Sequence, residues 1–325
     1  MAQVNEGRIA HVAAFLKAHP PKGAGLNFYS FHTPSGEVVA QSMYPSLNHP
    51  QAVDFFFFLC LHQFGFWYGD DRGYAQPLVG MVEHKPLKGS DLLNTLFMRA
   101  LVRDPGQFDA KRLLELSPPD LAATFFTDDG RTQWPDFEQR LELTRSYGRW
   151  LVDSTRTPGS IVEEANATDK PLETFLRILQ LESPFGRDVW QKKALLLAMA
   201  LANRPERFLK PSETDVWDPI VDYHLMRVAL RLGLVDLTAT EARDNKRRAW
   251  VGEIDENNTR AASWSAVQGL IRESGLSMAA IDETLWMARK YCPEMEEPVC
   301  AKCLFNDACA KRTELFQPVL RTTAY

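Results

Sequence analysis

The chain has no long uninterrupted apolar run. Its longest, Val53 to Trp67, contains Asp54, His62 and Gln63 and is too short to cross a bilayer, so no membrane span is expected. A secretory leader is not expected either: the opening MAQVNEGRIAHVAAFLKAH reads as a short amphipathic helix, and the expected location is cytoplasmic. Internal repeats and low-complexity tracts are missing, which argues against solenoid and disordered classes. Positive charge is not in excess, with 37 Lys and Arg against 42 Asp and Glu and a net charge of −5. Duplex-DNA binders draw affinity from phosphate neutralisation and usually carry a basic footprint. Here only Arg243, Lys246, Arg247 and Arg248 cluster, and a solvated helix end accounts for them as well. The acidic balance favours a small substrate. Convincing strands are few, GLNFYSFH being the best, within a segment rich in Pro and Gly. Cysteine is scarce until the end of the chain, where four of the five occur.

What remains is helical patterning on a chain of 325 residues that is 45% hydrophobic and 24% charged, as expected of a folded globular protein. Helices are expected near Glu6–His19 and across Gln51–Trp67. The second, with four consecutive Phe, is apolar on nearly every side and therefore buried. GDDRGY reads as a loop with Phe66, Trp67 and Tyr68 at its mouth. Ser90 is placed to cap DLLNTLFMRALVRD, and Ser117-Pro118-Pro119-Asp120 reads as a capping box. Further helices are expected over Pro135–Ser154, with Glu138, Arg140, Glu142 and Arg145 as exposed charge, and over Lys170–Glu182 and Asp188–Asn203. Thr238–Arg248, Thr259–Ser274 and Ser277–Tyr291 complete the series. The fold class is all-α.

The stretch from Asp218 to Val235 has a marked start and stop. Asp218 is a good N-cap, Pro219 suits the first helical position, and Gly233 suits the end. Val221, Leu225, Val228 and Leu232 recur at helical spacing and form a core-facing stripe, with Tyr223, Arg227 and Arg231 on the outer side. Asp222 sits at the edge of the stripe near the positive end of the helix dipole. That setting suits a charge that stabilises a developing cation, although acids near helix starts are common.

The terminal cysteines run Cys292-x7-Cys300-x2-Cys303-x5-Cys309. In a cytoplasmic chain of this size that crowding is not a disulfide framework. Two metal centres fit it, a 4Fe–4S cluster and a zinc site with four cysteine ligands. Zinc ribbons prefer two CxxC pairs and this chain has one. Cys60, inside the Phe-rich helix, reads as a small buried hydrophobe.

VDYHLMRVALRLGLV resembles the VDTH-x2-RV-x3-LGL stretch of endonuclease III-type base-excision glycosylases of the helix-hairpin-helix superfamily, with Tyr223 in the place of Thr. The cysteine spacing is similar to the C-x6-C-x2-C-x5-C cluster loop of the same family, with one residue more in the first gap. The resemblance implies a catalytic Asp222, a 4Fe–4S cluster on Cys292, Cys300, Cys303 and Cys309 with a structural role, and a catalytic lysine near the start of another helix. In Gly186-Arg187-Asp188-Val189-Trp190-Gln191-Lys192-Lys193-Ala194, Lys192 takes that place if Ala194 matches the family's Ala; Lys193 is the competing alignment. The family's tight Gly-x-Gly turn, which holds a DNA phosphate, is absent.

A second resemblance covers roughly residues 55 to 290 and is to the queuosine-salvage glycosylases, which hydrolyse queuosine nucleoside or its 5′-monophosphate. Gln63-Phe64-Gly65-Phe66-Trp67 resembles NFSFW, GSDLLNTLFMRAL resembles GYWSLCAAVNRAL, and Trp134-Pro135 through Glu138, Arg140 and Leu141 resembles MP-x3-ER. Gln191-Lys192-Lys193-Ala194 resembles YKRA, and Val221-Asp222-Tyr223 resembles ADY. Together the resemblances imply hydrolysis of an N-glycosidic bond. Asp222 and Lys192 would be catalytic, and Phe64, Phe66, Trp67, Tyr223, His224, Lys193 and Asp70 would contact the substrate. The substrate would be a modified nucleoside or nucleotide, with DNA as the alternative. They also imply a division into an N-terminal helical region (1–165) contributing to the pocket, a glycosylase-like domain (166–291) and a cluster loop with its tail (292–325).

Overall fold

The computed structural model describes residues 1–21, 26–29, 31–32, 38–39, 43–70, 72–130 and 134–325. Among them thirteen α-helices carry the fold, and the strands beside them form only two-stranded ribbons. The class is all-α, as the sequence patterning implies. Two compact units divide the chain, each assembled from separate stretches. The first comprises Met1–Leu26, Gly69–Gln76 and Trp217–Arg321; the second comprises Asn27–Tyr68, Pro77–Val216 and Thr322–Tyr325.

In the first unit the helix Glu6–Ala18 starts at Asn5, whose side chain accepts the Arg8 amide at 3.0 Å. Its buried residues Ile9, Val12, Ala13 and Leu16 face the long helix Glu253–Ser274. The packing is close: a Cβ on Gly269 would come within 3.1 Å of Ile9. The long helix begins before the expected Thr259, because Glu253, Asp255 and Glu256 supply the negative first turn that a helix dipole favours. Between these two elements in the chain lies the ten-residue helix Tyr223–Leu232, which packs on the long helix and ends at Gly233 in the left-handed region, φ 81°. A Cβ there would stand 2.9 Å from Ala310, so glycine also lets the C-terminal loop pass close by.

The second unit is organised around the helix Ala52–Leu61, in which every residue but Val53 and Asp54 is buried. It stops short of Trp67. The carbonyls past its end are taken by side-chain donors instead of by another turn. Lys193 donates to Leu61 O (2.9 Å), Arg140 to His62 O (2.9 Å), Phe64 O and Gly65 O, and Lys192 to Gln63 O (3.2 Å). Cations are favoured at the negative end of a helix dipole, and here three of them are buried there. Arg140 is therefore not exposed charge: it has no accessible surface and lies 4.2 Å over the Phe64 ring. Its helix, Phe137–Asp153, spans nearly the expected range. Ser90 lies within the helix Gly89–Arg103 and does not cap it, whereas Ser117 accepts the Asp120 amide at 3.4 Å; the expected capping box is only half made, because the Asp120 carboxylate accepts from the Ser117 hydroxyl and not from its amide. Phe31–His32 of GLNFYSFH pairs antiparallel with Val38–Val39. The GDDRGY segment falls largely on two strands, Trp67–Asp70 and Gly73–Pro77, and is thus not a plain loop.

Candidate functional site

The expected helix from Pro219 begins four residues later. Residues 218–222 are not helical, and Val221 N bonds back to Pro219 O at 3.1 Å, which turns the chain ahead of the helix. Asp218 caps nothing and instead accepts Gln268 Nε2 at 3.1 Å. The N-cap is Asp222 itself. Its Oδ1 accepts the amides of His224 (2.8 Å) and Leu225 (3.1 Å), and its side chain is 8% exposed. Two N–H donors and the positive end of a helix thus converge on one nearly buried carboxylate, an arrangement that favours negative charge at that point.

The core stripe holds: Val221, Leu225, Val228 and Leu232 are all buried. The outer side does not, because Arg227 and Arg231 are buried as well. Arg227 reaches Glu294 (3.3 Å), Gln317 (3.3 Å) and His224 Nδ1 (3.1 Å). Arg231 donates to Leu315 O (2.7 Å), Pro293 O (2.8 Å) and Cys292 Sγ (3.1 Å), while its own carbonyl lies 3.3 Å from Cys309 Sγ. Helical periodicity cannot foresee this. It registers a charged residue, not the C-terminal segment that later folds over that face.

That segment carries the four terminal cysteines. Cys303 lies within electrostatic reach of Cys292, Cys309 and Cys300, and Cys309 within reach of Cys292 and Cys300. Burial, chiefly, pushes the thiols of Cys303 and Cys309 up, and the neighbouring sulfurs push the same way. The Lys311 amide points at Cys309 Sγ at 3.2 Å, and Arg8 ties the first helix to Leu232 O (3.0 Å) and Ala308 O. Among the described residues no group of three or more His, Cys, Asp or Glu side chains is placed so that it could hold a metal ion. All four thiols are half-buried and free of disulfides, whereas Cys60 is buried and pushed up to about 12 by burial.

The remaining sequence candidates divide between the units. Asp222, Tyr223, His224 and Asp70 belong to the first; Lys192, Lys193, Phe64, Phe66 and Trp67 belong to the second. The rings of Tyr223 and His224 lie 4.2 Å apart between centroids, tilted by 42°, and both residues are half-buried. Asp70 is exposed, and hydrogen bonds from the Arg72 amide (2.8 Å) and guanidinium (3.1 Å) hold it below the usual carboxylate range. Asp188 accepts the amides of Trp190 (3.1 Å) and Lys192 (2.8 Å) just ahead of the helix Lys192–Asn203, whose N-cap is Gln191 in the left-handed region, φ 52°. Both lysines of that helix are buried, and burial drives Lys193 well below the ordinary lysine value. Phe64 is sealed between Arg140 and Lys193, the latter 4.8 Å from its ring, whereas Trp67 is half-buried with Lys88 5.7 Å from its ring. Glu294, which the sequence reading did not single out, is 3% exposed and lies 3.0 Å from His224 Nδ1. Compared with protein-family models and with curated proteins, the chain gives no match.

Proposed function

We propose that the chain is an N-glycosidic bond hydrolase that releases a modified base, with a 7-deazaguanine-type (queuosine-like) nucleoside or nucleotide as substrate. The observation that carries this reading is the placement of Asp222, a nearly buried carboxylate fixed by two backbone amides at the start of a helix whose far end is stapled to the cysteine loop. Departure of a base leaves oxocarbenium character on the sugar. A preorganised anion stabilises that charge without having to reorient, and the same carboxylate can orient the attacking water. Tyr223, in the same unit as Asp222, is proposed as a flat apolar face for the base, with His224 and Asp70 as further contacts.

The four terminal thiols suit an iron–sulfur centre by donor type: they are soft sulfur ligands, and a backbone N–H and a guanidinium are directed at two of the sulfurs. Cys292, Cys300, Cys303 and Cys309 would hold a 4Fe–4S cluster. When bound, the cluster supplies four covalent anchors to a tail too short for a core of its own. Protein purified anaerobically is expected to be brown, with broad absorbance at roughly 400 nm and about four irons per chain. Stoichiometric zinc without iron would reject this assignment.

A DNA base-excision glycosylase is the second reading, and the spacing of the cysteine loop favours it. The two separate by substrate. Incubation with queuosine, with its 5′-monophosphate and with lesion-bearing duplexes, followed by mass spectrometry of the released base, decides between them. Salt-sensitive duplex binding points to DNA. Identical behaviour of wild type and Asp222→Asn on every substrate would defeat both readings.

A further inference from the structure

We propose that Glu294 is a positioning residue, the carboxylate through which the cysteine loop holds the helix start that carries Asp222. The proposal rests on the reading of Asp222 as the reacting carboxylate and of the four thiols as metal ligands. Glutamate is almost never fully buried unless it is paired. The gap between Cys292 and Cys300 contains Glu294, Glu296 and Glu297; the last two are exposed and only Glu294 turns inward. There its Oε1 lies 3.0 Å from His224 Nδ1 and 3.3 Å from Arg227 Nη1, on the first and second turns of the helix. The backbone amide of His224 is one of the two that fix Asp222 Oδ1.

The path from thiol to carboxylate is therefore short. It runs from Cys292 through Pro293, whose φ is fixed, to Glu294, then across one 3.0 Å contact to the His224 imidazole and through that residue's amide to Asp222. The other end of the helix is held independently by Arg231, which donates to Cys292 Sγ and Pro293 O. One loop thus grips one helix at both ends with two different side chains. Loosening the loop should free both ends. Removing Glu294 should disconnect only the start.

Hydrogen–deuterium exchange on the full chain tests this. The pair Cys300→Ser/Cys303→Ser is made in wild type and in Glu294→Gln. In wild type the serines are expected to speed amide exchange over residues 222–228 by about tenfold. In Glu294→Gln that segment already exchanges faster, and the serines add less than about twofold. Residues 229–233, held by Arg231, respond to the serines in both backgrounds, and the helix Glu253–Ser274 responds in neither. Glu294→Asp, which keeps the charge but shortens the reach, is expected to behave as Glu294→Gln does. If the serine pair does not fold, wild type and Glu294→Gln stripped of metal with ferricyanide and EDTA give the same comparison. Equal increments over 222–228 in both backgrounds, or no increment in wild type, would overturn the proposal. Base release is not part of this readout, so a chain inactive on every nucleoside would strike the functional reading and leave the role of Glu294 standing.

Discussion

Two helices in this protein are each preceded by a buried acid that takes two backbone amides, and they continue very differently. In the second unit Asp188 is 2% exposed and takes the Trp190 and Lys192 amides, one on each carboxylate oxygen. In the first unit Asp222 is 8% exposed and takes the His224 and Leu225 amides, both on Oδ1. The helix that follows Asp188 sends Lys192 and Lys193 onto the backbone carbonyls of Gln63 and Leu61, which are not ionisable. The helix that Asp222 opens sends Arg227 and Arg231 onto the carboxylate of Glu294 and the thiol of Cys292, which are ionisable. A buried acid that takes backbone amides near a helix start is therefore no sign of chemistry by itself. What distinguishes the two is whether the partners of the following turns can change state.

The largest effect expected follows from that contrast. Asp222→Asn and Asp188→Asn are isosteric, and asparagine caps a helix about as well as aspartate. Base release followed by mass spectrometry should fall by about 10²–10⁴-fold in Asp222→Asn and by less than about threefold in Asp188→Asn. Equal losses would erase the distinction. Next in size is Arg140→Leu, which strands the carbonyls of His62, Phe64, Gly65 and Pro135 inside the second unit. Each unmade bond costs about 1–3 kcal/mol, and with partial relaxation a loss of about 4 kcal/mol in urea unfolding is expected, with metal content unchanged. Arg231→Leu should cost less, about 2 kcal/mol, because part of its grip is on half-exposed groups. Unlike Arg140→Leu, it should lower the metal content measured in the purified protein. A metal loss in both variants, or in neither, would mean that the two buried cation clusters do not differ as described.

Much of this was legible in the residues, and the reasons for the rest are specific. The helical class, the buried Phe-rich segment and the Val221–Leu232 stripe follow from local periodicity, which needs no knowledge of partners. Asp222 stood out in the sequence as an acid at the edge of that stripe, though Asp218 was the expected cap. A proline at the first helical position is common, but here the turn that Val221 makes onto Pro219 comes before the helix and passes the capping role to the next acid. Arg140, Arg227 and Arg231 read as outward charge, because a helical wheel cannot represent chain arriving from elsewhere. Their burial depends on residues 62–65 and 292–317, far away in sequence. Glu294 was invisible for the same reason: among three acids in one loop, only the fold selects the one that turns inward.

The smallest effect expected concerns two histidines and would sharpen the contrast further. His62 has no accessible surface and is packed against Phe58, with ring centroids 4.6 Å apart. Its Nε2 lies 3.0 Å from Thr144 Oγ1, and that hydroxyl donates to Arg140 O at 2.8 Å, so it can only accept from the ring. The proton is thus on Nε2, and Nδ1 has no hydrogen-bond partner among the described residues. Burial first, then the positive charges of Arg140 and Lys193, hold His62 well below its ordinary value of 6.5. In the unfolded chain the ring protonates near that ordinary value, so between there and the lower folded value the unfolded state binds more protons. Stability then rises with pH and is lost as pH falls below about 6.5, by up to about 1.4 kcal/mol per pH unit. Urea unfolding from about pH 7.5 to about pH 5.5 should show this loss, and His62→Gln should flatten it. His224 is also lowered by burial, but its hydrogen bond to Glu294 and the charge of Asp222 pull it back up. His224→Gln is therefore expected to change the slope less than His62→Gln does. A steeper change at His224 would show that Glu294 does not hold the imidazole and that the two units handle buried charge alike.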